Sequence, residues 1–548
     1  MPQIEEFVPH NFNSKRHTVA QVLNHAVANY GEKTFVKSVE GNSLTYQEFD
    51  CLTNRFAHGL ADFGINFQEP VLYMLPDNLD ILIVWGGLAK RGAIGVPINL
   101  AYRGKFLSRI MNDAGAKILI IAEELLERLE EITDELIHLK YCVVYGSDGD
   151  VEPSQLFPGI KMFARVSFSE LFSDSECPFE PGPSIQDLMG IMYTSGTTGA
   201  SKGVMVTHAH AFKYAQAVGR IHGVVFEDIF YSSGLPLFHI AGQWGVAYCT
   251  MIYGATACIR SGYRNDYFWM DIKEHRGTVV FLLGAIANFL WQQPVTANDA
   301  DTPLKKVGMF PVIPEHAAFA ERFGVKIATG YGSTENPGGF IHHFDEPFPT
   351  NQCVGIPDED VDASIRDELD RECANNEMGE ICIRHQTPWT IMRGYWNLPE
   401  ATAKAFRNLW FHTGDAGYRD DQGRFYFVDR LTDSMRRRGE NISSMEVEDE
   451  INQHPALLEC AVFPVWDEHT EQEIMAVVVL KNGFSLDPAD LITFLDKRLP
   501  YFMIPRYVEI SSKIPKTPTG KMEKYQLRER GVGPSTWDRV AVGVKLSR

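Results

Sequence analysis

Residues 193–204 read Y-T-S-G-T-T-G-A-S-K-G-V and say more about the fold than any other stretch of the chain. The short apolar run L-M-G-I-M-Y (188–193) before them predicts a buried strand that leads directly into a loop. A strand that ends in a loop of hydroxyl residues and glycines brings backbone N–H groups and side-chain donors around a polyphosphate. Lys202 can add a point charge for the phosphoryl oxygens. The stretch therefore predicts a nucleotide site at the end of a strand.

The spacing in this loop differs from that of a Walker A loop. In a Walker A loop, Gly-Lys-Ser or Gly-Lys-Thr follows four residues after a first glycine, and this loop has no such sequence. A flexible surface loop is the alternative interpretation of the same composition. Further residues along the chain must decide between the two interpretations.

Length and charge limit the function classes. A chain of 548 residues is too long for one core and should divide into domains. A net charge of −20 argues against a nucleic-acid partner, since a phosphate backbone is repelled except at a local basic patch. An anionic ligand must therefore be held by specific donors.

Targeting and cysteine patterns favour a cytoplasmic enzyme. The nine cysteines form no C-x-x-C pair, so neither a zinc site nor a disulfide framework is indicated. The N-terminus lacks a signal-peptide pattern, and the C-terminal K-L-S-R is not a peroxisomal address. The longest uncharged stretch, 277–298, contains Gln-Gln-Pro and its apolar part is too short for a transmembrane segment.

Strand-like and helix-like segments alternate up to about residue 430. V-L-Y-M-L (71–75) and K-I-L-I-I (117–121), for example, each precede a helical pattern. This alternation predicts an α/β fold in which parallel-rich sheets are covered by helices. Beyond a charged turn the character changes to a compact α+β unit of about 115 residues. We therefore predict a large N-terminal domain, residues 1–430, and a small mobile C-terminal domain, residues 433–548.

Y-G-S-T-E-N (331–336) places an aromatic ring, two hydroxyls and a carboxylate at a predicted strand end. Tyr331 can lie against a purine and Thr334 can donate to a phosphate. Glu335 can help to hold Mg²⁺, which prefers carboxylate oxygens. The segment predicts a second part of a nucleotide site.

Further segments of the chain add candidate residues. Asp415 in W-F-H-T-G-D lies on a glycine-flanked turn suited to both ribose hydroxyls, and Arg430 would approach the same sugar. Gly439 lets backbone pass close to a ligand. Lys521 lies on a proline-flanked loop, and His239 lies among apolar residues. Each residue alone has an ordinary structural explanation, but together they predict an ATP site.

Six motifs occur in order: Y-T-S-G-T-T-G-x-S-K-G, Y-G-S-T-E, G-E-I-C-I-R, H-T-G-D, D-R and P-x-T-x-T-G-K. Through them the chain resembles the acyl-adenylating superfamily of acyl-CoA synthetases, firefly luciferase and peptide-synthetase adenylation domains, over about residues 15–530. It looks closest to carnitine/crotonobetaine-CoA ligases, through K-R-G-A-I-G-V-P-I-N, R-R-G-E-N-I-S and Q-Q-P-V-T-A-N-D.

The resemblance implies an AMP-forming acyl-CoA synthetase (an acid–thiol ligase) that uses ATP, Mg²⁺, CoA and a small-molecule carboxylic acid. The residues implied to hold the β- and γ-phosphates are Thr194, Ser195, Gly196, Thr197, Thr198, Gly199 and Lys202. Thr334 would hold the α-phosphate and Glu335 the Mg²⁺, with Tyr331 beside the adenine. Asp415 and Arg430 would bind the ribose.

The resemblance also implies that one active site serves two steps. Lys521 would bridge the α-phosphate and the carboxylate during adenylation. The small domain would then rotate and bring Gly439 to line a pantetheine tunnel. His239 and Trp244 would lie in the acyl pocket, and aromatic rings there could bind a trimethylammonium group. From charge and hydropathy we expect no nucleic-acid partner and no transmembrane segment, and a homo-oligomer stays open.

The chain departs from the family pattern in two places. V-G-M-F-P-V-I-P (307–314) stands where many relatives have a glycine-rich adenine wall, and Thr432 stands at the usual charged hinge position. Three alternative functions stay open at this point: loading of a carrier protein, a luciferase-type oxidation and non-catalytic nucleotide binding. Without a following carrier domain or D-S-L motif, the sequence favours free CoA as the acceptor.

Overall fold

The computed structural model describes residues 17–146, 164–194, 201–313, 315–430, 434–437, 440–466, 472–515 and 524–546. Its α-helices are α1 Val19–Tyr30, α2 Tyr46–Asp62, α3 Leu79–Arg91, α4 Gly104–Ala114, α5 Leu126–Glu130, α6 His208–Ile221, α7 Ile240–Gly242, α8 Cys249–Tyr253, α9 Phe268–Glu274, α10 Gly284–Trp291, α11 His316–Phe323, α12 Pro399–Ala405, α13 Ser444–Ile451, α14 Pro488–Asp496 and α15 Lys524–Arg530. A π-helical segment, Gln243–Tyr248, joins α7 to α8.

The strands fall into two large sheets and two small ones. They are β1 Thr34–Ser38, β2 Ser43–Thr45, β3 Pro70–Met74, β4 Ile94–Pro97, β5 Ile118–Ala122, β6 Tyr141–Tyr145, β7 Ala164–Ser167, β8 Leu188–Thr194, β9 Lys202–Thr207, β10 Ile229–Tyr231, β11 Thr256–Ile259, β12 Val279–Leu283, β13 Lys306–Phe310, β14 Lys326–Tyr331, β15 Phe340–His342, β16 Cys353–Pro357, β17 Val361–Arg366, β18 Gly379–His385, β19 Gly394–Tyr395, β20 Phe406–Arg407, β21 Trp410–Arg419, β22 Phe425–Arg430, β23 Ser434–Arg437, β24 Glu440–Ser443, β25 Leu457–Trp466, β26 Gln472–Leu480, β27 Tyr507–Ile510 and β28 Trp537–Asp538.

The eight-stranded sheet has the order β19-β9-β8-β4-β3-β5-β6-β7 and is parallel from β8 to β7. Its central strands are continuous apolar runs because helices cover both faces; every residue of β5 is buried. The predicted strand 188–193 is confirmed as β8, and β9 pairs with it antiparallel, which sets Thr194 opposite Lys202. The nucleotide loop thus connects two paired strands.

The fourteen-stranded sheet joins a parallel half, β10 to β14, to an antiparallel half that contains β15 to β18, β21 and β22. The change of direction occurs at the β14–β15 hairpin. The ends of the parallel strands and the antiparallel turns meet there, at the place where open α/β sheets bind ligands.

Beyond residue 434 the chain forms a short hairpin, β23–β24, and a four-stranded sheet, β25-β26-β27-β28, with helices α13 to α15. The strand pair β25–β26 is apolar and buried along most of its length. The predicted α/β class, with a large sheet-rich unit and a small C-terminal α+β unit, is confirmed. The exact division at residues 430–433 and the mobility of the small unit stay predictions.

No helix in the described ranges is both long enough and apolar enough to cross a membrane.

Candidate active site

The segment 331–336 forms the turn of the β14–β15 hairpin, and Tyr331 pairs in register with Phe340. The turn is closed by the Ser333 N–H, which donates to the Asn336 carbonyl at 2.8 Å, and by the Asn336 N–H, which donates to Ser333 Oγ at 3.2 Å. A Cβ at Gly332 would lie 2.6 Å from the backbone nitrogen of Gly338, so only glycine fits there. The turn holds its polar residues in one defined arrangement.

Glu335 and Lys202 meet at the ring of Tyr395. The Tyr395 hydroxyl donates to Glu335 Oε1 at 3.1 Å, and Lys202 Nζ lies 4.9 Å from the centroid of the Tyr395 ring. Burial lowers the pKa of the Lys202 ammonium, and the Glu335 carboxylate partly opposes that change. The loop lysine and the predicted metal-binding carboxylate therefore share one site, although 133 positions separate them in the sequence.

Asp415 lies in β21 and is 4 % exposed. The Tyr331 hydroxyl donates to Asp415 Oδ2 at 2.5 Å, and the Asp415 N–H donates to Thr413 Oγ1 at 3.1 Å. In the β21–β22 ladder, Arg430 is the backbone partner of Asp415. The structure thus brings Asp415, predicted to bind the ribose, into contact with Tyr331, predicted to lie beside the adenine. Asp415 and Arg430, the two predicted ribose residues, lie on adjacent strands.

The prediction that the H-T-G-D segment forms a glycine-flanked turn is wrong, because residues 412–415 are part of strand β21 and pair with β18. Glu380 holds this segment in place. Its Oε1 accepts the Gly414 N–H at 2.9 Å, and its Oε2 lies 2.8 Å from His412 Nδ1. Gly414 has φ +75°, which a side chain would strain. Glu380 lies in the G-E-I-C-I-R motif, but the sequence alone predicted no role for it. The partners of Glu380 lie on another strand, β21, so no local signal could have revealed these contacts.

Glu380, Cys382 and His412 also place three ligand-type atoms within 4.8 Å of one another. Arg407 Nη2 lies 2.8 Å from His412 Nδ1, and its guanidinium lies 3.5 Å from the Glu380 carboxylate. A fixed positive charge at that distance opposes a metal ion. The cluster is therefore better explained as support for the H-T-G-D segment of β21.

Thr334 connects the nucleotide end to the predicted acyl end. It is buried, and its backbone lies against the imidazole of His210. His210 in turn packs edge-on against Trp244, with ring centroids 6.5 Å apart. Burial lowers the pKa of His210 to about 3, so its ring is neutral. His210 was not predicted from the sequence, because it is a buried residue of α6 and belongs to no recognisable motif.

Trp244 lies in the π-helical segment and is 1 % exposed. Its Nε1 donates to Gln243 Oε1 at 3.0 Å, and its ring packs between those of His210 and Tyr214. His239 is the N-cap of α7, where its Nδ1 accepts the Ala241 N–H at 3.3 Å. His239 keeps partial exposure, whereas Trp244 is enclosed by protein on all sides. Contact of either with an acyl group stays a prediction.

Other predicted residues lie outside the described residues: Ser195, Gly196, Thr197, Thr198, Gly199, Gly439 and Lys521. The side chain of Arg430 is also outside the description. The predicted nucleotide residues that are described are Thr194, Lys202, Tyr331, Thr334, Glu335 and Asp415. Thr194 pairs with Lys202 between β8 and β9, and contacts or the shared turn at 331–336 link the last five into two neighbouring groups.

The residues around Glu335 fit a Mg²⁺ ion. Its carboxylate oxygens are hard ligands, which is the donor chemistry that Mg²⁺ takes. The Tyr395 hydroxyl orients Glu335 through Oε1. Such an outer partner fixes the direction of a ligating carboxylate.

Comparison with protein families matches residues 23–396 to the AMP-binding enzyme family and residues 446–521 to the AMP-binding enzyme C-terminal domain. A crotonobetaine/carnitine–CoA ligase of Citrobacter koseri is 32% identical over 511 residues, which cover 91% of this chain and 96% of the relative. The ligase of the same name from Salmonella typhi is 32% identical over 515 residues, with the same coverage.

Solved structures share the fold over most of the chain. An amide bond synthetase from Marinactinospora thermotolerans superimposes with a TM-score of 0.81 at 24% identity, and covers 94% of this chain and 99% of its own. o-Succinylbenzoate CoA synthetase from Bacillus subtilis superimposes with a TM-score of 0.79 at 21% identity, and covers 93% of this chain and 98% of its own. At these identities the comparison shows only that the fold is shared.

Proposed function

The chain belongs to the AMP-binding enzyme family and is an AMP-forming acyl-CoA synthetase; we propose that its acid is a short betaine, a carboxylate that carries a quaternary ammonium group. The observation that carries the proposal is the similarity to crotonobetaine/carnitine–CoA ligases along 96% of their length. A short- or medium-chain acid without the cation is the alternative substrate class.

The reaction has two steps. A carboxylate oxygen attacks the α-phosphorus of ATP, which forms acyl-AMP and releases pyrophosphate. The thiol of CoA then attacks the acyl carbon, which forms the thioester and releases AMP and a proton. Activation is necessary because a free carboxylate would have to expel oxide, whereas AMP is a good leaving group.

We assign the charge-handling roles to the residues that meet around Tyr395 and Tyr331. Lys202 offsets negative charge on the phosphate oxygens, and Thr334 donates to the α-phosphate. Glu335 would hold Mg²⁺, which neutralises charge that develops on the phosphates. Asp415, oriented by Tyr331, accepts the ribose hydroxyls. We further propose that Lys521 is the lysine that bridges the two anions during adenylation, and that the acceptor is free CoA.

The test is carboxylate-dependent release of pyrophosphate, followed by thioester formation, with matched acids. γ-Butyrobetaine and 5,5-dimethylhexanoate have the same shape, but a trimethylammonium group in the first is replaced by a neutral tert-butyl group in the second. We expect a higher kcat/KM for γ-butyrobetaine, and thioester only when CoA is added. A higher value for the neutral acid contradicts the betaine assignment, and acyl-AMP without thioester contradicts free CoA as acceptor.

A further inference from the structure

Asp77 lies beyond the carboxyl end of β3, in the four-residue connection to α3. Leu75, the first residue of this connection, and Leu79, the first residue of α3, are buried at 1 % and 9 % exposure. Pro76, Asp77 and Asn78 between them keep part of their surface exposed. α/β sheets bind ligands at the carboxyl ends of their parallel strands. Asp77 places a carboxyl group at the carboxyl end of β3.

The segment Pro236–His239 lies opposite Asp77. The Leu237 N–H donates to Asp77 Oδ1 at 2.6 Å, which fixes the separation of the two segments. Leu237 itself is buried, whereas Pro236, Phe238 and His239 keep partial exposure. Two short segments from distant parts of the chain therefore meet, and each presents partly exposed groups beside the contact.

Asp77 differs from the acidic residue three positions later. Asp80 accepts the Tyr145 hydroxyl at 2.6 Å, so its charge has a side-chain donor. Within the described residues, Asp77 forms no ion pair, and the Leu237 N–H is its hydrogen-bond partner. Burial raises the pKa of the Asp77 carboxyl to about 7, and no positive charge opposes that change. A surrounded carboxylate without a cation is costly to the fold and is typical of a site that a ligand completes.

The wall behind this site is rigid. Gln243 Nε2 donates to the Leu237 carbonyl at 2.9 Å and to the Tyr73 hydroxyl at 3.1 Å. Gln243 Oε1 accepts from Trp244, whose ring packs on His210, and His210 lies against the backbone of Thr334. Continuous contacts therefore link Asp77 to the turn that we assign to the α-phosphate.

A quaternary ammonium group has no N–H and cannot form a hydrogen bond. Aromatic surface and a negative charge both favour its binding. Asp77 is a carboxylate, and Phe238, an aromatic residue of the facing segment, is partly exposed.

We propose that Asp77 is the counter-charge for the cationic head of the acyl substrate and determines the preference for a betaine over a neutral acid. The inference rests on the proposed betaine substrate. It assigns substrate selection to a carboxylate at the β3–α3 connection, with Leu237 holding one oxygen so that the charge is presented in a fixed direction.

The experiment compares Asp77→Asn with wild-type enzyme on γ-butyrobetaine and 5,5-dimethylhexanoate. Asparagine keeps an oxygen that can accept the Leu237 N–H, so the variant removes the charge and retains the contact. We expect the KM for γ-butyrobetaine to rise at least 10-fold, while the KM for the neutral acid is unchanged or falls. Asp80→Asn is the matched control, since it also removes a charge at the start of α3, and its selectivity should equal that of wild type.

The outcomes separate the two claims. If wild-type enzyme prefers the neutral acid, the betaine substrate is wrong, and the role of Asp77 is wrong with it. If wild-type enzyme prefers the betaine but Asp77→Asn changes both KM values equally, the role of Asp77 alone is wrong. Thermal stabilisation of the folded variant by γ-butyrobetaine gives a second measurement that needs no turnover. It should be lost in Asp77→Asn and kept in Asp80→Asn, and its retention in Asp77→Asn overturns the proposal.

Discussion

The nucleotide end and the acyl end of the candidate site hold their carboxylates in different ways. At the nucleotide end, Asp415 and Glu335 each accept the hydroxyl of a tyrosine, Tyr331 and Tyr395. At the proposed acyl end, the hydrogen-bond partner of Asp77 among the described residues is the backbone N–H of Leu237. A neutral phenol fixes the direction of a carboxylate without cancelling its charge, which suits a site that receives a metal ion and a sugar. A surrounded carboxylate without a donor side chain instead leaves its charge for a ligand. The predictions below test this difference.

The largest effect is expected from Lys521, the residue proposed to bridge the α-phosphate and the carboxylate. Lys521→Ala should reduce acyl-AMP formation on the order of 100-fold or more, because it removes the charge that brings two anions together. Formation of thioester from supplied acyl-AMP should be largely retained. Pyrophosphate release and thioester formation, assayed separately, check this. Equal losses in the two half-reactions contradict a role confined to adenylation.

The next effect concerns the ribose carboxylate. Asp415→Asn should raise the KM for ATP by roughly 10- to 100-fold, the range expected when charge-assisted hydrogen bonds of about 1.5–3 kcal/mol are weakened. The KM for the acid should change little. Asp421→Asn, in the exposed turn after the same strand, is the control and should behave as wild type. An unchanged KM for ATP would remove Asp415 from the ribose site.

A smaller effect is expected for the tyrosine that orients this carboxylate. Tyr331→Phe removes one hydroxyl and keeps the ring, so the KM for ATP should rise about 3- to 10-fold, as for the loss of one hydrogen bond. Its combination with Asp415→Asn should be less than additive because the two residues are in contact. Full additivity in the double-mutant cycle would show that Tyr331 does not act through Asp415.

The smallest effect at neutral pH is expected for His385, behind the turn at 331–336. Its Nε2 lies 2.8 Å from Asn336 Oδ1, and burial lowers its pKa to about 4. In the unfolded chain the pKa is about 6.5, so the unfolded state binds more protons as pH falls from 6.5 to 4. The free energy of unfolding should therefore be highest above pH 6.5. Because of His385 it should fall by up to about 3 kcal/mol as the pH drops from 6.5 to 4.

Urea unfolding midpoints of wild type and His385→Gln, measured from pH 8 to pH 4, check this dependence. The variant should show a flatter decline between pH 6.5 and 4. His138→Gln, which changes an exposed histidine, should follow the wild-type curve. Parallel curves for His385→Gln and wild type would show that His385 does not contribute to the acid sensitivity.

The sequence by itself determined the fold class, through the strand 188–193 and the alternating α/β pattern. It also predicted Tyr331, Glu335 and Asp415 as nucleotide residues, because they lie in local motifs whose residue types and spacing suit a phosphate and a sugar. Such motifs can be read from sequence because each is a short run of glycines and polar residues.

Only the tertiary structure decided which residues support these motifs and where an uncompensated charge lies. Glu380, on a neighbouring strand, supports the H-T-G-D segment of β21. Tyr395 joins Lys202 to Glu335 across a long sequence separation. Asp77 looks like an ordinary helix-start residue until Leu237 is brought within 2.6 Å. Burial and the approach of distant segments set these properties, and neither is encoded in the few residues around each position.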